Sequence, residues 1–276
     1  MSDFPDGSVW LVGAGPGDPE LLTRKAERLL RAATAVFHDA LVGKEVLALA
    51  APGARLVYVG KRSGRHSKDQ GAIDELIVAA ALAGDRVVRL KGGDPVIFGR
   101  ATEELEACHA AGVPVRICPG VTAASAAAAS LGISLTLRGL ARKLTFVTAH
   151  ARAGEPLDLD WAALADPDAT LAVYMGKAAA GEVTAQLIAA GLDPATPVAL
   201  LENISLPEER TFRTRLDLLP LAVQTAVGDG PTLLLVGMAV RNGKTCDELN
   251  SAPDFRDAAS SIGRPGGYSR APSVGR

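Results

Sequence analysis

Asp39 closes an apolar run, Ala35–Phe37, in the tetrapeptide Phe37-His38-Asp39-Ala40. A carboxylate placed there serves either as a general base or as a turn residue. Lys61, Arg62, Arg65 and Lys68 follow the next short apolar run, with no acid among them. Such a stretch is either a solvated loop or an anion clamp, because Arg grips carboxylates through parallel N–H donors. Lys91-Gly92-Gly93-Asp94-Pro95 ends a third run. Its paired glycines expose backbone N–H and C=O groups, and Pro95 fixes its own φ and keeps Asp94 out of the helical region. Asp94 can meet a small polar ligand, cap the segment that follows, or do both.

Gly13, Gly15 and Gly17 in Gly-Ala-Gly-Pro-Gly-Asp-Pro allow a ligand close to the backbone, or make a tight strand–helix turn. A dinucleotide fingerprint would need glycine at position 18, where Asp18 stands, and a carboxylate there opposes a pyrophosphate. A nicotinamide-dependent oxidoreductase is therefore the distant alternative. Gly243-Lys244-Thr245 lacks the glycine a phosphate loop requires at Met238. His38, His66, His109 and His150 show no metal-binding spacing, and Cys108, Cys118 and Cys246 form no C-x-x-C pair. No metal is expected. No G-x-S-x-G nucleophile elbow occurs either.

These groups need elements to hold them. Val9–Val12, Ala35–Phe37, Leu56–Val59, Arg86–Leu90 and Val113–Ile117 read as strands. Between them lie helical patterns: one opened by Asp18 and Pro19 and carrying Leu21, Leu22, Ala26, Leu29 and Leu30, then 69–83, 101–111 and 121–131. Alternation of this kind favours a mostly parallel sheet covered by helices, with ligands at the carboxyl ends of the strands. The chemistry-bearing segments all fall at such ends. After Arg138 the alternation restarts. Strands are expected at Leu144–Thr148, Thr170–Tyr174, Pro197–Glu202, Thr211–Arg215 and Thr232–Val236, and helices over 178–190 and 217–226. The expected architecture is two α/β domains, 1–138 and 139–245, with mostly parallel sheets and a ligand cleft between them. Residues 246–276 are rich in Gly, Pro and Ser and read as a flexible tail.

The chain has 276 residues, with Lys+Arg 29 against Asp+Glu 31, a net charge of −2. That balance disfavours nucleic acid and anionic membrane as partners. Hydrophobic residues at 48% can build a real core, and aromatics at 4% are too few for a base-stacking platform. The first residues carry no basic stretch followed by an apolar one, and no apolar run reaches about 18 residues. A cytoplasmic protein is expected.

Together, Val-Gly-Ala-Gly-Pro-Gly-Asp-Pro, His-Asp-Ala-Leu-Val, Gly-Lys-Arg, Lys-Gly-Gly-Asp-Pro-Val-Ile-Phe-Gly-Arg, Pro-Gly-Val-Thr-Ala-Ala, Tyr-Met-Gly-Lys and Gly-Pro-Thr-Leu-Leu resemble the class III S-adenosylmethionine-dependent methyltransferases that modify tetrapyrroles. The resemblance runs from about Ser8 to Arg241. It implies two α/β domains with S-adenosylmethionine in the cleft, S-adenosylhomocysteine as product, and a homodimer. It implies cofactor contacts at Pro16, Gly92, Gly93, Asp94, Ile97, Thr122, Ala123, Met175, Ile204 and Thr232. Asp39 matches the family's proposed proton acceptor. Lys61 matches its proposed proton donor, or it binds a substrate carboxylate. The implied reaction is C-methylation of uroporphyrinogen III at C-2 and C-7, giving precorrin-2 by way of precorrin-1. A later precorrin or a non-tetrapyrrole acceptor is the alternative within the fold. Arg62, Arg65, Arg100, Arg138 and Arg142 are the expected holders of the substrate's carboxylates.

Leu137 stands where relatives often carry His, and Ser134 where they often carry Pro. Ala101-Thr102 replaces a glycine pair, and Ile204 replaces a small residue whose contact would pass through the main chain. Leu137 puts a substrate-side detail in question, whereas a backbone contact at Ile204 tolerates the change.

Overall fold

The computed structural model describes residues 4–60, 70–150 and 157–242. Lys61, Arg62, Arg65 and the tail 246–276 lie outside the described residues. Five strands form the first sheet: β1 (Ser8–Gly13), β2 (Ala35–His38), β3 (Arg55–Tyr58), β4 (Arg86–Lys91) and β5 (Val115–Cys118). Their order is β3-β2-β4-β1-β5, and every pairing is parallel. Helices cover both faces, as a parallel sheet requires. On one face, α1 (Arg24–Ala32) and α2 (Lys44–Leu47) pack against Trp10, Val12, Val36 and Val88. On the other, α3 (Gln70–Leu82) and α4 (Ala101–Ala110) pack against Val9, Leu11, Phe37 and Val87. Alternate residues of β1 thus serve opposite cores, the two-residue period of a strand buried on both sides.

The helix expected to open at Pro19 is two pieces. The Asp18 carboxylate accepts from Glu20 N at 2.8 Å and caps a single 3-10 turn, Pro19–Leu21. The chain then extends through Leu22, and Thr23 caps α1 by accepting from Ala26 N at 3.1 Å. The reason is packing. Leu22 packs against the α1 side of the first sheet, whereas Leu21 packs against a face of the second sheet, so one continuous helical stripe cannot serve both.

After α5 (Ala123–Ser130) the second sheet contains β6 (Lys143–Thr148), β7 (Ala169–Tyr174), β8 (Pro197–Glu202), β9 (Arg210–Arg215) and β10 (Thr232–Val236), in the order β6-β7-β10-β8-β9. Here the expectation of a mostly parallel sheet fails. Only β6 and β7 pair in parallel, while β10 runs antiparallel to both β7 and β8, and β8 to β9. The segment between β8 and β9 is too short for a crossover, which takes a dozen or more residues, so these strands must form a hairpin. One face is covered by α6 (Trp161–Leu164), α7 (Ala180–Ala189) and α8 (Leu219–Ala226). The other is covered by α5 and the residue that ends it: Ala124, Ala126 and Ala127 of the helix and Leu131 just after it pack on Ala172, Ala199, Leu201, Leu233 and Leu235. Helix α5 thus precedes Arg138 in sequence yet belongs by packing to the second sheet. Small side chains let it lie close to the strands. No described helix is long and apolar enough to cross a membrane.

Candidate active site

Three loops at the carboxyl ends of β1, β4 and β5 touch through glycine. A Cβ on Gly120 would lie 2.2 Å from Gly93 O and 2.9 Å from Gly13 Cα; one on Gly13 would lie 2.6 Å from Gly120 Cα. Only glycine permits that approach. Gly93 N donates to Gly15 O at 2.7 Å and Gly15 N to Gly93 O at 3.2 Å, so the first glycine loop and the Gly-Gly-Asp loop are locked together. The Asp94 carboxylate extends the lock. One oxygen accepts from Val96 N at 2.9 Å and the other from Gly120 N at 3.1 Å. It therefore organises the loop, and its side-chain bonds go to backbone N–H groups. Gly93 itself, at φ +68°, has nothing within 4 Å of where a Cβ would stand. The cradle opens there onto free space bordered by main chain.

The supports below this cradle are charged and buried. Arg89 and Lys91 share one face of β4 by the two-residue period, and Glu104 lies on the face of α4 that also carries Ala101 and Cys108. Arg89 Nε donates to Glu104 Oε1 at 2.9 Å and Lys91 Nζ to Glu104 Oε2 at 2.7 Å. Burial, and then the neighbouring Arg89 charge, pull the Lys91 ammonium below its ordinary value. Glu104 offsets part of that cost, since an uncompensated buried charge is strongly destabilising. Arg89 also reaches Asp39, whose Oδ2 stands 3.7 Å from its Nη2. The other Asp39 oxygen accepts from Leu41 N at 3.0 Å, a turn contact. The Asp39 side chain remains 25% exposed, enough to meet a ligand.

The second sheet contributes from the same direction. Because β10 is antiparallel, its start at Thr232 lies opposite Glu202 at the end of β8, next to the end of β7 at Tyr174. Met175, Ile204 and Thr232 are thereby gathered on one sheet end. Met175 (φ +54°), Asn203 (φ +53°) and Ser205 (φ +65°) adopt left-handed backbone, as do Phe98 (φ +52°) and Arg100 (φ +56°) in the first half. Five such residues around one space mark a site where strain is held by its surroundings. The Glu202 carboxylate accepts from Gly228 N at 2.9 Å and Gly230 N at 2.7 Å and so shapes the loop before Thr232. Burial alone would push Glu202 up, but those two donors, helped by Arg210 and Lys177, leave it below its ordinary value.

Two clasps join the halves. The Tyr174 hydroxyl bonds Thr122 Oγ1 at 2.6 Å and accepts from Ala124 N at 3.2 Å, capping α5 from the second sheet. The Tyr174 ring lies 5.1 Å from that of Phe98 and 5.6 Å from that of Phe146, centroid to centroid. Burial raises the Tyr174 phenol above its ordinary value, so the hydroxyl stays protonated. At the other end, Asp18 N donates to Ser205 Oγ at 3.0 Å.

The ten residues expected at the cofactor therefore lie in converging loops or on the first residue of the element that follows one: Pro16, Gly92, Gly93, Asp94, Ile97, Thr122 and, opening α5, Ala123 from the first half, and Met175, Ile204 and, opening β10, Thr232 from the second. Asp39 borders the same space. Arg100 is exposed beside it and bonded to Glu103 at 2.8 Å. The remaining described arginines are not brought together with them. Arg138 sits in a hairpin closed by Leu137 N to Ala141 O at 2.8 Å. Arg142 N bonds Asp168 O before β7 begins, at the opposite end of the second sheet from Met175. Tyr174, Glu104, Glu202 and Glu209 are not among the site residues expected from the sequence. The signal for Glu104 was an acid on a face otherwise made of Ala101 and Cys108, facing two cations spaced two apart.

The sequence model of the Tetrapyrrole (Corrin/Porphyrin) Methylases matches residues 8–220. A siroheme synthase of Methylococcus capsulatus is 46% identical over 234 residues, 85% of this chain and 49% of that protein. The chain thus spans about half the length of such relatives. A uroporphyrinogen-III C-methyltransferase of Paracoccus denitrificans is 45% identical over 240 residues, 87% of this chain and 84% of that protein. Among solved structures, the uroporphyrin-III C-methyl transferase of Thermus thermophilus complexed with S-adenyl homocysteine superposes with a TM-score of 0.73. It is 42% identical, and the match covers 85% of this chain and 99% of that one.

Proposed function

The chain belongs to the tetrapyrrole (corrin/porphyrin) methylase family, and from that premise we propose that it methylates uroporphyrinogen III at C-2 and C-7, giving precorrin-2 by way of precorrin-1. The observation that carries the reading is the convergence of loops from both sheets on one main-chain-lined space, in a chain 45% identical to a uroporphyrinogen-III C-methyltransferase along most of its length. The space fits S-adenosylmethionine. Gly93 leaves room, and the Asp18 carboxylate is spent on Glu20 N, where no phosphate is served. When bound, the cofactor supplies a methyl group on a positively charged sulfur, within reach of an electron-rich pyrrole carbon.

The chain's own residues supply position and proton handling. The loops holding Pro16, Gly92–Asp94, Ile97, Thr122, Ala123, Met175, Ile204 and Thr232 fix the donor against the acceptor. Such orientation can contribute about 7–11 kcal/mol in ideal cases. Methyl transfer to a substituted pyrrole carbon leaves the ring cationic, and Asp39, held by Leu41 N and facing Arg89, takes the proton that the macrocycle then loses from another position. Lys61 supplies a proton or holds a substrate carboxylate. Arg62, Arg65 and Arg100 hold carboxylates, and Arg138 and Arg142 do so only for a substrate reaching well beyond this space. We read residues 1–138 and 139–245 as two domains stitched by α5, and the protein as a cytoplasmic homodimer.

Asp39→Asn tests the assignment. It keeps the acceptor for Leu41 N and removes the base. Uroporphyrinogen-dependent release of S-adenosylhomocysteine is expected to slow by about 100-fold or more, with affinity for S-adenosylhomocysteine unchanged. Equal rates in variant and wild type would take Asp39 out of this role.

A further inference from the structure

Glu209 carries no motif and lies far along the chain from the first glycine loop, yet both its carboxylate oxygens are engaged at the rim of the proposed cofactor space. Oε2 accepts from Ser205 N at 2.6 Å, and Oε1 accepts from the Ser130 hydroxyl on α5. Ser205 then reaches across to the first half, where its Oγ accepts from Asp18 N at 3.0 Å. The same segment presses on the loop directly. A Cβ on Gly17 would stand 2.7 Å from Leu206 Cδ2 and 3.3 Å from Ile204 O. Glu209 N donates to Leu206 O at 2.9 Å and Leu206 N to Asn203 O at 3.0 Å, so 203–209 is a closed loop with Ile204 at its inner edge.

Asn203 and Ser205 both hold left-handed φ on either side of Ile204. Non-glycine residues keep that conformation only when neighbours enforce it. A charged acceptor on Ser205 N is such an enforcement, and it is the stronger class of hydrogen bond. We propose that Glu209 is a positioning residue for the methyl donor: it holds Asn203–Ser205 in the form that presents Ile204 and, through Ser205, draws the Gly13–Asp18 loop onto the cofactor. The inference rests on the reading of Ile204 and Pro16 as cofactor contacts. It deepens that reading by placing the control of donor affinity on a carboxylate that touches no ligand.

The test is calorimetric titration with S-adenosylhomocysteine of wild type, Glu209→Ala, Glu209→Gln and Ser205→Gly. The alanine variant loses both bonds, and its dissociation constant is expected to rise about tenfold or more. In the glutamine variant Oε1 can accept from Ser205 N and the amide can donate to Ser130 Oγ, so affinity is expected within about threefold of wild type. Ser205→Gly keeps the left-handed backbone at no steric cost and removes only the clasp on Asp18 N. Its affinity is expected to fall by about threefold or more, and it decides the matter if the alanine variant does not fold. A purely structural role predicts a lower melting temperature with undiminished affinity in the folded variants, and that result would overturn the inference. Failure of the wild-type protein to bind S-adenosylhomocysteine would overturn the reading beneath it as well, which separates the two failures.

Discussion

Asp39 uses its two oxygens differently. One completes a turn with Leu41 N and the other faces Arg89 across 3.7 Å. The turn and base readings, open at the level of sequence, are therefore compatible. Asp74 shows the opposite situation, a carboxylate placed where its charge is unwelcome. Burial raises it above its ordinary value of 3.8. The Gln70 amide, donating at 2.8 Å, offsets part of the rise, and the Glu104 and Glu103 charges add to it. A raised folded-state value means that the native protein keeps the proton where the unfolded chain has released it. The associated stability is complete below pH 3.8 and is lost as pH rises through the folded value. Asp74→Asn keeps an acceptor for Gln70 and removes the ion. It is expected to raise the melting temperature at pH 7, with the gain shrinking toward pH 4; a gain that grows on acidification would contradict this.

Between residues and the whole lie the elements, and here glycine contacts decide what the loops can do. Gly120 is the tightest point, with Gly93 O only 2.2 Å from a hypothetical Cβ and both neighbours backbone. Gly120→Ala must push apart the loops after β1, β4 and β5, and it is expected to cost about 2 kcal/mol or more, read as a lower urea midpoint at unchanged slope. Gly53→Ala, with nothing within 4 Å of its Cβ position, should stay within about 0.5 kcal/mol of wild type. Equal effects would mean that the glycine contact is dispensable.

Most strands are legible in the sequence as short apolar runs bounded by Gly, Pro or charge, whereas β9 (Arg210–Arg215), with Phe212 as its one apolar residue, is legible only as a Thr- and Phe-bearing β-prone segment. Pairing direction is not legible. Apolar runs look alike in parallel and antiparallel sheets, and only the short Asn203–Glu209 link betrayed the hairpin. The helix expected from Pro19 misled for a related reason. Leu21 and Leu22 fit one helical stripe in sequence, but they face different cores. The short helices α2 and α6, four residues each, carry too little periodicity to be seen.

For the whole molecule, what matters is that the two sheets present ends to each other and are held there by side chains from opposite halves. Helix α5 follows the first sheet in sequence and packs on the second, and Tyr174 caps it from β7. The expected cofactor contacts come from motif resemblance, and the convergence of the segments that carry them depends on long-range pairings that no local pattern encodes. The residues that hold the loops, Tyr174, Glu202, Glu104 and Glu209, stay hidden because each makes at least one of its bonds to a partner distant in the chain.

The proposed reaction transfers methyl groups to carbon atoms of uroporphyrinogen III. The most direct measurement is product mass after anaerobic incubation of the protein with S-adenosylmethionine and freshly generated uroporphyrinogen III. Species heavier than the substrate by one and then two CH2 units are expected, with matching release of S-adenosylhomocysteine. Folded protein that binds S-adenosylmethionine yet yields neither species would contradict it.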